Sequence, residues 1–79
     1  MMTDSQLLNH PEATVQLIAH PTRSGHTVAE ARLNSPTTLN ALSLEMIDLL
    51  AGALRQWADD DQVVAVLLSG SGDRAFSAG

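Results

Sequence analysis

The chain has 79 residues, enough for one small domain, and its hydrophobic fraction of 44% is that of a globular rather than a disordered segment. Four Arg and no Lys stand against nine Asp or Glu, for a net charge of -5. Nucleic acid and anionic membrane surfaces are thereby excluded as partners, because neutralising phosphates takes clustered cations. No cysteine is present, so neither a disulfide framework nor thiolate chemistry is expected. Nothing near the start resembles a secretory signal and no segment has the apolar length of a membrane helix, so the expected location is cytoplasmic.

Residues 1–13 are polar and are expected to form a flexible N-terminal tail. Thr14 to Ala19 reads as a short strand with Val15, Leu17 and Ala19 on one face. Pro21 to Gly25 has turn composition. Residues 27–33 alternate, with Thr27, Ala29, Ala31 and Leu33 on one side and Val28, Glu30 and Arg32 on the other. That is the period of a half-buried strand, and the two segments predict a hairpin. Pro36 closes the second strand.

Ser43 is placed to cap a helix over residues 44–59, with Glu45 where the helix dipole favours an anion. Met46, Ile47, Leu50, Ala51, Ala53, Leu54, Trp57 and Ala58 share a broad apolar arc. Trp57 is thus expected in the core. Asp59 to Asp61 predicts a solvated helix-to-strand turn rather than a cation site. Val63 to Leu68 is an unbroken apolar run, the pattern of a strand covered on both faces. With a single helix available to cover it, however, these residues alone should also leave apolar surface exposed. Strand, helix and strand compose a βαβ unit, and ligands of open α/β sheets gather beyond the carboxyl ends of the strands. The segment in that position is Ser69 to Gly79.

Several motifs compete there. Gly70-Ser-Gly72-Asp-Arg-Ala75 fits a loose dinucleotide pattern, but no helix opens on those glycines. Ser77 sits in a partial nucleophile-elbow pattern, yet Gly70 to Phe76 separate it from its strand and Ala75 replaces the first glycine. His10, His20 and His26 lack metal-ligand spacing and are expected at the surface; no metal site is predicted. Asp73 and Arg74 read as an exposed pair in the loop.

Three segments, Ala31-Arg-Leu-Asn-Ser-Pro36, Leu39-Asn-Ala-Leu-Ser43 with Met46, and Val66 to Gly79, resemble the enoyl-CoA hydratase/isomerase (crotonase) family in order and spacing. The resemblance covers residues 14–79. It implies an α/β fold, a crotonase-type spiral of β-β-α units, of which these residues form the first β-hairpin–helix–strand unit. They would be the N-terminal part of a crotonase-like domain, ending at its oxyanion-hole loop. It further implies an acyl-CoA substrate, with coenzyme A entering as part of that substrate and no covalently bound cofactor. Backbone at Asn40, Ala41 and Leu42 and at Ser77, Ala78 and Gly79 would hold the adenine and pantetheine portions. The first oxyanion donor would follow Gly79, and the carboxylates lie further on, so no catalytic side chain is expected among these residues.

Ser35 and Thr38 depart from the resemblance, because the family often carries basic residues there that serve the nucleotide phosphates. Leu39 to Met46, Trp57 and Gly72 to Phe76 look most like the 3-hydroxyisobutyryl-CoA hydrolase branch, although that branch often has Cys at the position of Ser77. Hydrolysis of a short 3-hydroxyacyl thioester in valine breakdown is one implied reaction; enoyl-CoA hydration, or acyl-CoA binding without turnover, are the alternatives. The resemblance also leaves a homo-oligomer open, since many relatives are trimers or hexamers.

Overall fold

A computed structural model describes residues 5–72 and Ser77. The elements in chain order are β1 (Gln6–Leu7), β2 (Val15–Pro21), β3 (Thr27–Leu33), a 3-10 turn (Pro36–Thr38), α1 (Leu44–Ala58) and β4 (Val63–Gly70). They form one four-stranded sheet in the order β1-β2-β3-β4. The first three strands are antiparallel neighbours, and β4 joins β3 in parallel after the helical crossover.

The hairpin register places Val15 opposite Leu33, Leu17 opposite Ala31 and Ala19 opposite Ala29. The alternation in both strands therefore assembles one apolar face. Gly25 supplies the left-handed turn conformation (φ 82°) between them. At the far end the parallel register steps from Val63 to Ala65 across Thr27 and Val28, a bulge at the start of β4.

Within the expected tail of residues 1–13, the described residues from Ser5 onward differ from a flexible segment. Gln6 and Leu7 pair with Ala19 and Ile18. Asn9 ties the lead-in down: its Nδ2 donates to the Val15 carbonyl (2.8 Å), and its Oδ1 accepts from the Leu17 amide (2.9 Å). Composition reads these residues as polar tail; a side-chain amide that satisfies a strand's backbone is the feature it misses.

Helix α1 starts where expected. The Ser43 hydroxyl accepts from the Met46 amide (3.2 Å), and Glu45 occupies the first turn. Asp59 caps its end, and the Asp60 carboxylate accepts from the Gln62 amide (2.9 Å), which builds the turn into β4. The helix lies over β2 and β3. Val15, Ala31, Leu33 and Met46 form the buried core, with Leu17, Leu49, Leu50 and Trp57 packed around them.

Two expectations about burial are corrected. Leu49, outside the arc assigned to the core, packs on it, while Ile47 and Leu54 inside that arc are 47% and 43% exposed. The helix is centred on the hairpin rather than on the whole sheet. For the same reason β4 is not covered on both faces: Val64, Val66, Leu67 and Leu68 are 40–58% exposed. Conversely β3 is more than half-buried, because Ala29, Glu30, Ala31 and Leu33 are all buried between two flanking strands. No helix among the described residues is long and apolar enough to cross a membrane.

Candidate functional site

The chain leaves β3 at Leu33 and turns sharply. The Thr38 amide donates to the Ser35 carbonyl (3.1 Å), the Leu39 amide to Pro36 (3.0 Å) and the Asn40 amide to Ser35 (2.8 Å). To close this turn, Leu39 and Asn40 both adopt left-handed backbone, with φ of 53° and 56°. Asn tolerates that region through its short polar side chain; a branched apolar residue such as Leu costs about 1–2 kcal/mol there. The strain at Leu39 is held by the hydrogen bonds on either side of it.

Asn40 is fully buried. Its Oδ1 accepts from the Ser35 amide (2.6 Å), and its Nδ2 donates to the Ser71 carbonyl (2.9 Å). Its own carbonyl accepts from the Ser77 hydroxyl (2.8 Å). Ser71 is anchored from a second direction, since its amide donates to the Leu33 carbonyl (2.8 Å). Gly72 takes φ 82°, and a Cβ there would stand 3.2 Å from the Pro36 Cβ, so Gly72 lies close against the turn.

The two stretches expected to line a ligand site, Asn40 to Leu42 and the segment at Ser77, thus meet at the carboxyl ends of the parallel strands β3 and β4. Ala41 and Ser77 are half-buried and Leu42 is 45% exposed. Ala78, Gly79 and the Asp73–Arg74 pair lie outside the described residues. The Ser71 hydroxyl is buried and has no hydrogen-bond partner among the described residues. An open groove of about 460 Å³ lies at the opposite end of β4, between Leu54, Trp57 and Val63 to Val66, and does not coincide with this site.

A polar cluster unforeseen in the sequence occupies the sheet face away from α1. Glu30 is 7% exposed and accepts from the Ser69 hydroxyl (2.5 Å) and from Arg32 (3.3 Å). His20 pairs with it at 2.7 Å, so this histidine is a half-buried partner rather than a surface residue, and it meets the Ser5 hydroxyl through its other nitrogen (2.6 Å). Burial pushes the Glu30 carboxyl up, but the bonds from Ser69 and His20 and the Arg32 charge outweigh it and hold it below its ordinary value. The available signal was Glu30 itself, a carboxylate midway along a strand flanked by apolar residues. His10 and His26 are exposed as expected.

A hairpin, a helical crossover and a parallel fourth strand, with a tight turn braced against Ser71 and Ser77 beyond that strand, define an α/β unit. Comparison with known proteins places the unit. The family profile described as enoyl-CoA hydratase/isomerase matches residues 28–79, and the chain belongs to that family. It is 43% identical over 63 residues to a mitochondrial enoyl-CoA hydratase of Pongo abelii, covering 80% of this chain and 21% of that one. It is 31% identical over 74 residues to a mitochondrial 3-hydroxyisobutyryl-CoA hydrolase of Bos taurus, covering 94% of this chain and 18% of that one. Among solved structures it resembles an enoyl-CoA hydratase from Mycobacterium marinum, with 44% identity and a TM-score of 0.68 over 84% of this chain and 28% of the other. The chain therefore spans about a fifth of the length of these curated relatives, and its unit has the crotonase-type architecture expected from the sequence.

Proposed function

We propose that the protein carrying these residues processes acyl-CoA thioesters, and that the Asn40–Leu42 turn and the segment at Ser77 to Gly79 line part of the coenzyme A site. The observation that carries this reading is the meeting of the two stretches at the carboxyl ends of β3 and β4, clamped through Asn40. Coenzyme A enters as part of the substrate. The described side chains near the site offer hydroxyls, amides and apolar surface rather than an acid or base, so their contribution is to bind and orient the thioester. The chemistry of the family calls for fixed backbone donors at the thioester oxygen, worth about 3 kcal/mol each toward the barrier. By the same resemblance, the first of them would belong to the residue after Gly79 in the full-length protein.

The reaction we favour is hydrolysis of 3-hydroxyisobutyryl-CoA or a similar short acyl-CoA, supported by the Leu39 to Met46 segment and by the hydrolase relatives. Enoyl-CoA hydration is the second reading, supported by the 43% and 44% identities to hydratases. A cytoplasmic location belongs to the same proposal, although the curated relatives named above are mitochondrial. Calorimetric titration of the full-length protein with coenzyme A tests the site: saturable binding is expected, and its absence overturns the reading. Incubation with 3-hydroxyisobutyryl-CoA and crotonyl-CoA then separates the reactions, through release of free thiol in one case and loss of the conjugated enoyl absorbance in the other.

A further inference from the structure

The side-chain amide of Asn40 is fully buried, and it joins the start of the turn to the residue just beyond β4. Each end of that amide is engaged by backbone from a different segment. Oδ1 holds the Ser35 amide at the start of the turn, and Nδ2 holds the Ser71 carbonyl just beyond β4. The Asn40 carbonyl takes a third attachment, from the Ser77 hydroxyl. These bonds cross 31 and 37 residues of sequence, so no local turn preference supplies them. Left-handed backbone at Asn40 turns the side chain inward, and an Asn is among the few residues that accept this conformation and carry both a donor and an acceptor.

We infer that Asn40 is a positioning residue: its side chain sets where Ser71, just beyond β4, sits relative to the 35–42 turn, and thereby tunes affinity for coenzyme A. The second half of this statement rests on the function proposed above; the first half stands on the hydrogen bonds alone. Ser77 is the matching latch, because its hydroxyl donates to the Asn40 carbonyl. Gly72 lies so close to Pro36 that a side chain there would crowd the turn.

Asn40→Asp is the discriminating variant. It keeps the size and the tolerance of left-handed backbone and the acceptor for Ser35, but it turns a carboxylate oxygen toward the Ser71 carbonyl. Hydrogen exchange on the full-length protein should show the Ser71 amide exchanging at least roughly tenfold faster, with amides of the β2–β3 hairpin unchanged. Equal acceleration in the hairpin would reduce Asn40 to a general stability residue and overturn the inference, as would an unchanged Ser71. Ser77→Ala removes the latch hydroxyl while leaving Asn40 intact, and it guards against a variant that fails to fold. It should weaken coenzyme A binding by about three- to tenfold with the Ser71 amide unaffected, and wild-type affinity in that variant would overturn the latch. If the unsubstituted protein binds no coenzyme A, the proposed function fails, and the exchange experiment alone still decides the positioning role.

Discussion

Strands β3 and β4 lie side by side in parallel, and their sequences invert their surroundings. β3, Thr-Val-Ala-Glu-Ala-Arg-Leu, alternates and carries two charges, yet four of its residues are buried. β4, Val-Val-Ala-Val-Leu-Leu-Ser-Gly, is uncharged throughout, yet none of its residues is buried. The difference lies in position. β3 has a strand on each side, α1 over one face and the side chains of His20 and Ser69 over Glu30 on the other. β4 is the edge of the sheet, and the helix is centred on the hairpin. Hydropathy reports what a strand can tolerate; its place in the sheet decides what it receives.

The comparison is broken most directly by truncation in β3. Leu33→Ala should cost about 2–4 kcal/mol in urea unfolding, because Leu33 is 3% exposed and packs with Val15 and Met46. A cost below about 1 kcal/mol would mean that the site collapses freely and the core is loosely packed. Next in size is Glu30→Gln, expected to cost about 1–3 kcal/mol at pH 7, since a buried network of three donors loses its anion. The folded carboxyl lies below its ordinary value of 4.5, so its stabilisation is complete above that value and is lost as pH falls through the lower folded one. The unsubstituted protein should weaken across that acid window, and the variant should weaken less, in unfolding curves taken at successive pH values.

The elements were legible from the chain because each has a strong local cause. Period-two alternation specified the hairpin, the Ser43 cap and the apolar arc specified α1, and the Asp59–Asp61 turn preceded β4. The two stretches of the candidate site were legible only through family resemblance and through the rule that ligands gather at strand ends. Their junction was not legible, because Asn40 meets Ser71 and Ser77 across long sequence separations, and nothing in a local pattern encodes such a bond. The Glu30 cluster escaped for a related reason: His20 and Ser69 come from the strands on either side of β3. Burial of α1 was partly misassigned because a helical wheel gives the apolar arc but not the roll against the sheet.

A smaller effect sharpens the local part of that account. Ser43→Ala should cost about 1 kcal/mol in thermal or urea unfolding, the usual value for removing a capping hydroxyl from a first-turn amide. A neutral result would mean that the Met46 amide finds water, and that packing of the apolar arc alone fixes the helix start.

The smallest expected change tests β4 itself. Leu68 stands beside Ala31 in the parallel register, but Leu68 is 56% exposed where Ala31 is fully buried. Leu68→Lys should therefore alter unfolding free energy by no more than about 0.5 kcal/mol, as at other exposed positions. The same substitution should lower any concentration-dependent light scattering of the chain, because an eight-residue edge without charge or proline is a template for strand pairing and a lysine on it opposes that pairing. A loss of 2 kcal/mol or more, by roughly the value of a buried leucine, would mean that Leu68 is covered in solution. If that loss grew with protein concentration, the cover would be a second copy of the chain, and the contrast between β3 and β4 would then belong to the isolated protomer alone.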